Sequence, residues 1–144
     1  MREVTVTSLD NLQNEVRYDE GQSFLADEPA AVGGDGAGPD PYVLLLAALG
    51  ACISMTVKLY ARRKGWPVGR VTVRLRLGRV HAKDCAECTR TEDGFAHRIE
   101  RSVSIEGDLT PEQLARLHEI AQKCPVHRTL TNEIVVAELP AGGA

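Results

Sequence analysis

Two cysteines, Cys52 and Cys124, have sequence surroundings that could support thiol chemistry. Cys124 precedes Pro125, a residue suited to the first position of a helix. It is therefore predicted at a helix N-terminus, where free N–H groups stabilise a thiolate and lower its pKa. Cys52 lies within the longest apolar stretch and has no charged neighbour, so its local sequence favours a buried packing role. If the fold brings the two together, they form a two-cysteine redox site; otherwise both are packing residues.

A second pair, Cys85 and Cys88, follows His81 in a polar segment. The Cys-x2-Cys spacing is typical of metal knuckles, and His81 with His97 could complete a tetrahedral zinc set. A single Cys-x2-Cys is weaker evidence than two, and three interpretations stay open. The pair could be two solvent-exposed thiols, a structural zinc site or a redox pair.

Length and composition limit the class of protein. The chain has 144 residues, 43% of them hydrophobic, which predicts one domain over residues 1–144 with a core of its own. A net charge of −3 argues against nucleic acid as a partner. We expect no membrane partner, because the apolar segment 42–57 is shorter than a spanning helix needs and no signal region precedes it. The expected location is the cytoplasm, where a disulfide framework is uncommon.

Alternating apolar and polar residues predict six strands, at 4–9, 11–18, 22–26, 71–77, 97–105 and 134–139. The turn Asp19–Gly21 joins the second and third strands into a hairpin. The polar loop Cys85–Gly94 joins the fourth and fifth strands into a longer hairpin. Between these hairpins, the segment Glu28–Pro41 is rich in Gly and Pro and is predicted to be a loop.

Two helices complete the predicted α+β fold. Pro41 and Gly65 bound the first, Tyr42–Lys64, whose first half is apolar nearly all round. Such a helix must be covered on every side, which predicts a partner subunit. The second helix follows Thr110, a predicted N-cap within a capping box.

Two stretches of the chain resemble the OsmC/Ohr family, the osmotically inducible and organic hydroperoxide resistance proteins. The first runs from Gly38-Pro39-Asp40-Pro41-Tyr42 through Leu44-Leu45-Leu46-Ala47-Ala48-Leu49 to Cys52, and on to Tyr60-Ala61 and Arg63-Lys64-Gly65-Trp66-Pro67. The second runs from Gly107-Asp108-Leu109-Thr110 to Lys123-Cys124-Pro125-Val126-His127-Arg128-Thr129-Leu130. The resemblance covers residues 24–137.

This resemblance implies an intertwined α+β homodimer, with an antiparallel sheet packed on a long central helix and active sites at the subunit interface. It implies a thiol-dependent peroxidase of oxidative-stress defence that reduces organic hydroperoxides or hydrogen peroxide. Cys52 would be the peroxidatic residue and Cys124 the resolving one. A dithiol reductant (a lipoyl protein, thioredoxin or a small thiol) would reopen their disulfide. No cofactor is required, and the zinc set would be a structural addition.

The resemblance also implies an arginine from an N-terminal strand or loop that activates the peroxidatic thiol, and Arg17, on the predicted second strand, is the candidate. Characterised members orient this arginine with a Glu near the start of the long helix, where this chain has Tyr42 and Val43. Glu28 could substitute for that residue. The alternative function is a non-catalytic OsmC-like dimer, either binding a small lipid or metabolite in its interface pocket or acting as a redox sensor.

Overall fold

A computed structural model describes residues 2–140. The chain divides into two compact units, with the boundary between Ala47 and Ala48. The strands are antiparallel in both units and a long helix crosses the boundary, which confirms the α+β class. The single domain expected for residues 1–144 stays a prediction.

The N-terminal unit contains a three-stranded antiparallel sheet with β2 at its centre. Its strands are β1 (Thr5–Ser8), β2 (Asn14–Asp19) and β3 (Gln22–Ala26). Gly21 has a φ of +69° in the turn between β2 and β3, a conformation that favours glycine. The predicted hairpin is therefore confirmed.

Asp27 is a buried carboxylate that organises the Gly-rich loop after β3. It is 3% exposed, and its oxygens accept hydrogen bonds from the backbone N–H groups of Glu28, Asp35 and Ala37 at 2.8–3.1 Å. The bond from Ala37 is the main cause that lowers the pKa of Asp27, and those from Glu28 and Asp35 act in the same direction. The loop is therefore wrapped around one charged side chain.

We expect Asp27→Asn to lower the melting temperature at pH 7, because an amide offers fewer acceptor sites to the three N–H groups. The folded pKa of Asp27 lies below the unfolded value of about 3.9. Its stabilising effect is therefore present above that value and is lost as the pH falls through the folded pKa. The difference between wild type and variant should shrink below about pH 4, as followed by thermal unfolding. The exposed Asp10→Asn is the control, and an equal pH dependence in both variants would contradict this account.

The C-terminal unit contains the predicted long hairpin. Its strands are β4 (Val68–His81) and β5 (Phe95–Gly107), paired antiparallel with Val73 opposite Val103. Both strands extend beyond the predicted segments, because backbone pairing continues where the side-chain alternation fades. Arg74 and Arg76 point outward, as predicted.

Three helices pack in or beside this unit: α1 (Pro41–Lys64), α2 (Pro111–Ala121) and α3 (Pro125–Thr131). The predicted capping box of Thr110 is present at α2. The core lies between α1, α2, the start of α3 and the inner face of the hairpin, and consists of Leu49, Ile53, Val57, Ala61, Leu117, Ala121 and Cys124. Gly50 allows close approach, since a Cβ there would lie 2.7 Å from Leu75 Cδ1.

Helix α1 is long enough and apolar enough to cross a membrane by length and composition, and no other described helix is. The apolar segment 42–57 is only part of this 24-residue helix, so the prediction that it is too short to span a membrane is wrong for the helix as a whole. The central helix of a soluble protein meets the same criterion. Here Leu49, Ile53 and Val57 belong to the protein core.

The predicted last strand, 134–139, is not a strand in this single chain. Ile134, Val135, Val136 and Leu139 are 55–93% exposed. A strand requires a neighbouring strand for its hydrogen bonds, and this segment has none within the described part of the chain. Most of the predicted frayed tail, 140–144, lies outside the described residues.

Candidate functional site: two neighbouring thiols

Cys52 and Cys124 lie next to each other in the C-terminal unit, both as free thiols. Cys52 is half-buried on α1, packs against the core cluster that contains Cys124, and has its sulfur 4.0 Å from Thr56 Oγ1. Cys124 is 0% exposed. The fold thus brings together two cysteines that are far apart in sequence, and their redox role stays a prediction.

Cys124 is the N-cap of α3, as predicted from Pro125. Its sulfur accepts a hydrogen bond from the backbone N–H of His127 at 3.5 Å. A helix start forms here because Pro125 has no N–H to lose and its φ already suits a helix. The cap therefore follows from local sequence alone.

The predicted lowering of the Cys124 pKa is wrong in sign. Burial raises the pKa of this thiol, and the neighbouring Cys52 side chain raises it further. The N–H groups of His127 and Val126 act in the opposite direction but do not prevail. Burial disfavours the charged form, so Cys124 is protonated at neutral pH.

An open cavity of about 240 Å³ lies in the same unit. Three basic residues, His97, Arg101 and His127, and three apolar residues, Leu49, Ile99 and Leu130, line it. No acidic side chain is among the described residues of its wall. Because His127 also donates its N–H to Cys124, the cavity adjoins the thiol pair.

Sequence reasoning missed this basic cavity, although one signal was present. Arg101 continues the alternation of Ile99, Val103 and Ile105 on β5, and therefore lies on the inner face. Asp27 was missed because nothing in its neighbourhood marks it as the acceptor of three distant N–H groups.

Arg17 lies in the N-terminal unit, on β2. Its guanidinium donates to Glu15 Oε1 at 2.7 Å, and its side chain is 63% exposed. An acidic partner for this arginine is thus supplied from the same strand, two residues away. Glu28 is near Asp27, to which it donates its backbone N–H.

The predicted zinc residues adopt a different arrangement. Cys85 and Cys88 form a disulfide, and among residues 2–140 no three His, Cys, Asp or Glu side chains are grouped to hold a metal. His97 pairs with Arg79, whereas His81 pairs with Phe95, so the two histidines are not directly opposite. In this oxidised form the pair has no thiolate to offer a metal, and zinc binding by His81, Cys85, Cys88 and His97 stays a prediction for the reduced protein.

The fold and site define an α+β protein in which a long helix and a proline-started helix hold two thiols side by side. Residues 33–138 match the family model described as OsmC-like protein. The chain belongs to the OsmC-like family.

Several solved structures share this fold. An OsmC-like protein from Mycoplasma pneumoniae superposes with a TM-score of 0.69 at 19% identity, covering 90% of this chain and 86% of that one. An organic hydroperoxide resistance protein from Elizabethkingia anophelis, with thiocyanate bound, has a TM-score of 0.60 at 25% identity, covering 91% and 88%. The organic hydroperoxide resistance protein OhrB of Bacillus subtilis has 0.60 at 19%, covering 91% and 90%. A sequence comparison with curated proteins finds no significant match.

Proposed function

We propose that the protein is a thiol-dependent peroxidase that reduces organic hydroperoxides or hydrogen peroxide. The observation that carries this proposal is the adjacency of two free thiols, Cys52 and Cys124, within an OsmC-like fold. The similarity to the Elizabethkingia anophelis protein, which is named for organic hydroperoxide resistance, supports it.

The proposed reaction has three steps. The Cys52 thiolate attacks the O–O bond of the peroxide, which releases an alcohol (or water) and leaves a sulfenic acid on Cys52. Cys124 then attacks the Cys52 sulfur, forming a disulfide and releasing water. A dithiol reductant reopens that disulfide and is itself oxidised. Cys124 is protonated at neutral pH, and a thiol is a weaker nucleophile than a thiolate. Cys124 is therefore assigned the second step and Cys52 the first.

We assign the activating cation to Arg17, as the family resemblance implies. Its guanidinium pairs with Glu15 at 2.7 Å, whereas in characterised members a carboxylate near the start of the long helix orients the arginine. In this proposal Glu15 compensates for the non-acidic Tyr42 and Val43. An arginine beside the Cys52 sulfur would favour the thiolate.

The experiment that tests the function is peroxide consumption with a dithiol such as dithiothreitol present. We expect consumption to continue well beyond one equivalent per chain, because the reductant regenerates both thiols. Consumption no faster than by the dithiol alone would contradict the proposal.

The alternative, a non-catalytic ligand-binding dimer, is favoured by one observation. The cavity of about 240 Å³ combines an apolar floor of Leu49, Ile99 and Leu130 with three basic side chains. Such a cavity suits a small amphiphilic anion. Under this alternative, replacing either Cys52 or Cys124 would leave ligand binding intact and no peroxide would be consumed by any variant.

We also propose a homodimer. Met55 and Leu59, one turn apart on α1, are 63% and 53% exposed, and the segment 134–139 is apolar and unpaired. A second copy of the chain would cover the helix face and supply the neighbouring strand. In this proposal the α1 face with Met55 and Leu59 and the segment 134–139 form part of the dimer interface.

We expect Met55→Asp to weaken this dimer by at least about 100-fold in Kd, because an unpaired buried charge costs roughly 3 kcal/mol or more. Light scattering after size exclusion should give twice the 15.6 kDa chain mass for wild type and a monomer for the variant at micromolar concentration. The control is Leu12→Asp, at a comparable exposed apolar residue outside α1. A wild-type monomer, or equal dissociation of both variants, would contradict the assignment.

A further inference from the structure

A second pair of cysteines lies on the polar loop between β4 and β5 and takes no part in the proposed reaction. Cys85 and Cys88 are partly accessible and joined in a disulfide, with Ala86 and Glu87 exposed between them. Cys52 and Cys124 are meanwhile free thiols. One chain thus holds Cys85 and Cys88, here called the outer pair, oxidised, and Cys52 and Cys124, the inner pair, reduced.

The loop that carries the outer pair is attached to α3, the helix that Cys124 begins. The Arg90 guanidinium donates to the carbonyl oxygen of Thr131, the last residue of α3, at 3.1 Å. Thr131 also lines the basic cavity. A seven-residue helix is about 10 Å long, so the loop contacts α3 roughly that far from Cys124, and it must move along α3 for the outer pair to reach the inner one.

A second contact joins the loop to β5. Glu87, between the two outer cysteines, pairs with Arg98 at 3.3 Å. The adjacent residue, His97, lines the cavity together with His127, whose N–H donates to Cys124. The loop that carries Cys85 and Cys88 is therefore tied to β5 as well as to the end of α3.

Burial limits how an external reductant can reach the disulfide of the inner pair. Cys124 is fully buried and Cys52 half-buried, so attack must occur at the Cys52 sulfur with Cys124 as the leaving thiol. A leaving thiol of raised pKa departs slowly. A dithiol attached to the same chain offsets this handicap through its high effective concentration.

We propose that Cys85 and Cys88 form an internal relay that reduces the Cys52–Cys124 disulfide, an inference that rests on the proposed peroxidase function. One outer thiolate attacks the Cys52 sulfur, forms a mixed disulfide and releases Cys124, which takes up a proton. The other outer cysteine attacks its own partner's sulfur in the mixed disulfide, forming Cys85–Cys88 and releasing Cys52. Two electrons move from the outer pair to the inner pair, and an external dithiol then reduces the exposed outer disulfide.

The test counts peroxide equivalents in the absence of reductant. Fully reduced protein, freed of reductant and oxygen, is titrated with tert-butyl hydroperoxide, quenched with an alkylating agent and mapped by mass spectrometry. We expect wild type to consume two equivalents per chain and the Cys85→Ser/Cys88→Ser variant one. After a single equivalent, the wild-type disulfide should be at Cys85–Cys88. In Cys52→Ser the outer pair should stay reduced over the same time.

Two results would overturn the relay and leave the peroxidase function standing. One is a wild type that stops at one equivalent with Cys52–Cys124 joined and the outer pair still reduced, whether free or zinc-bound. The other is Cys85–Cys88 oxidation as fast in Cys52→Ser as in wild type, which would show direct oxidation by peroxide. If neither the wild type nor any variant consumes peroxide, the proposed peroxidase function is wrong, and the relay is wrong with it.

Discussion

Replacing Cys52 with Ser should reduce the rate of peroxide consumption by about 10³-fold or more. A serine hydroxyl stays protonated at neutral pH and is a far weaker nucleophile than a thiolate. The substitution changes one atom at a half-buried position on α1, so the core formed by Ile53 and Val57 should be preserved. The measurement is a stopped-flow trace of peroxide loss with one equivalent of tert-butyl hydroperoxide, alongside circular dichroism to verify folding.

The matched control is Cys124→Ser, at the neighbouring thiol. It should consume the first equivalent at a rate within a few-fold of wild type, because Cys124 acts only after the O–O bond is broken. Its product should be a persistent Cys52 sulfenic acid, trapped by dimedone, in place of a disulfide. An equal fall in the rate of first-equivalent consumption in both variants would assign the attack to the pair, and a fall in Cys124→Ser alone would assign it to Cys124; either result would contradict Cys52 as the sole attacking thiol.

Truncation of Leu117 to Ala should lower the free energy of unfolding by about 2–5 kcal/mol. Leu117 is 0% exposed and belongs to the cluster in which α2 packs on Ile53 and Val57 of α1. Removing its three outer carbons leaves a cavity that well-packed neighbours fill only in part. Urea unfolding at one fixed protein concentration measures the effect and avoids the concentration dependence of a dimer.

Leu9→Ala is the control for that substitution, since Leu9 is 47% exposed. We expect it to cost less than about 1 kcal/mol, in line with exposed positions generally. Because α2 packs beside the helix that Cys124 begins, Leu117→Ala should also loosen the thiol site. A Leu117→Ala variant as stable as Leu9→Ala would show that the α1–α2 contact contributes little to the fold.

Local sequence was sufficient for the elements whose signals are local. Pro125 predicted that Cys124 caps a helix, Thr110 predicted a capping box, and alternation predicted the β4–β5 hairpin; all three are present. The sign of the Cys124 pKa was not predictable in this way. It depends on burial by residues from α1 and α2, which adjoin Cys124 only after folding.

Other features of the structure could not be predicted from local sequence, because they depend on contacts between distant parts of the chain. The segment 134–139 has the pattern of a strand, but pairing needs a neighbour that a single chain does not provide. The strand register of the hairpin, which no local sequence pattern specifies, pairs His97 with Arg79 and His81 with Phe95. The three N–H groups that converge on Asp27 come from a loop whose path no sequence pattern specifies.

The proposed mechanism requires that Cys52 reacts with the peroxide and that Cys124 then reacts with the resulting Cys52 sulfenic acid. The most direct measurement is peptide mapping of the Cys85→Ser/Cys88→Ser variant after one equivalent of tert-butyl hydroperoxide, with rapid acid quench. We expect a Cys52–Cys124 disulfide within each chain, formed in step with loss of the peroxide. Peroxide loss that leaves both thiols free, or no peroxide loss at all, would contradict it.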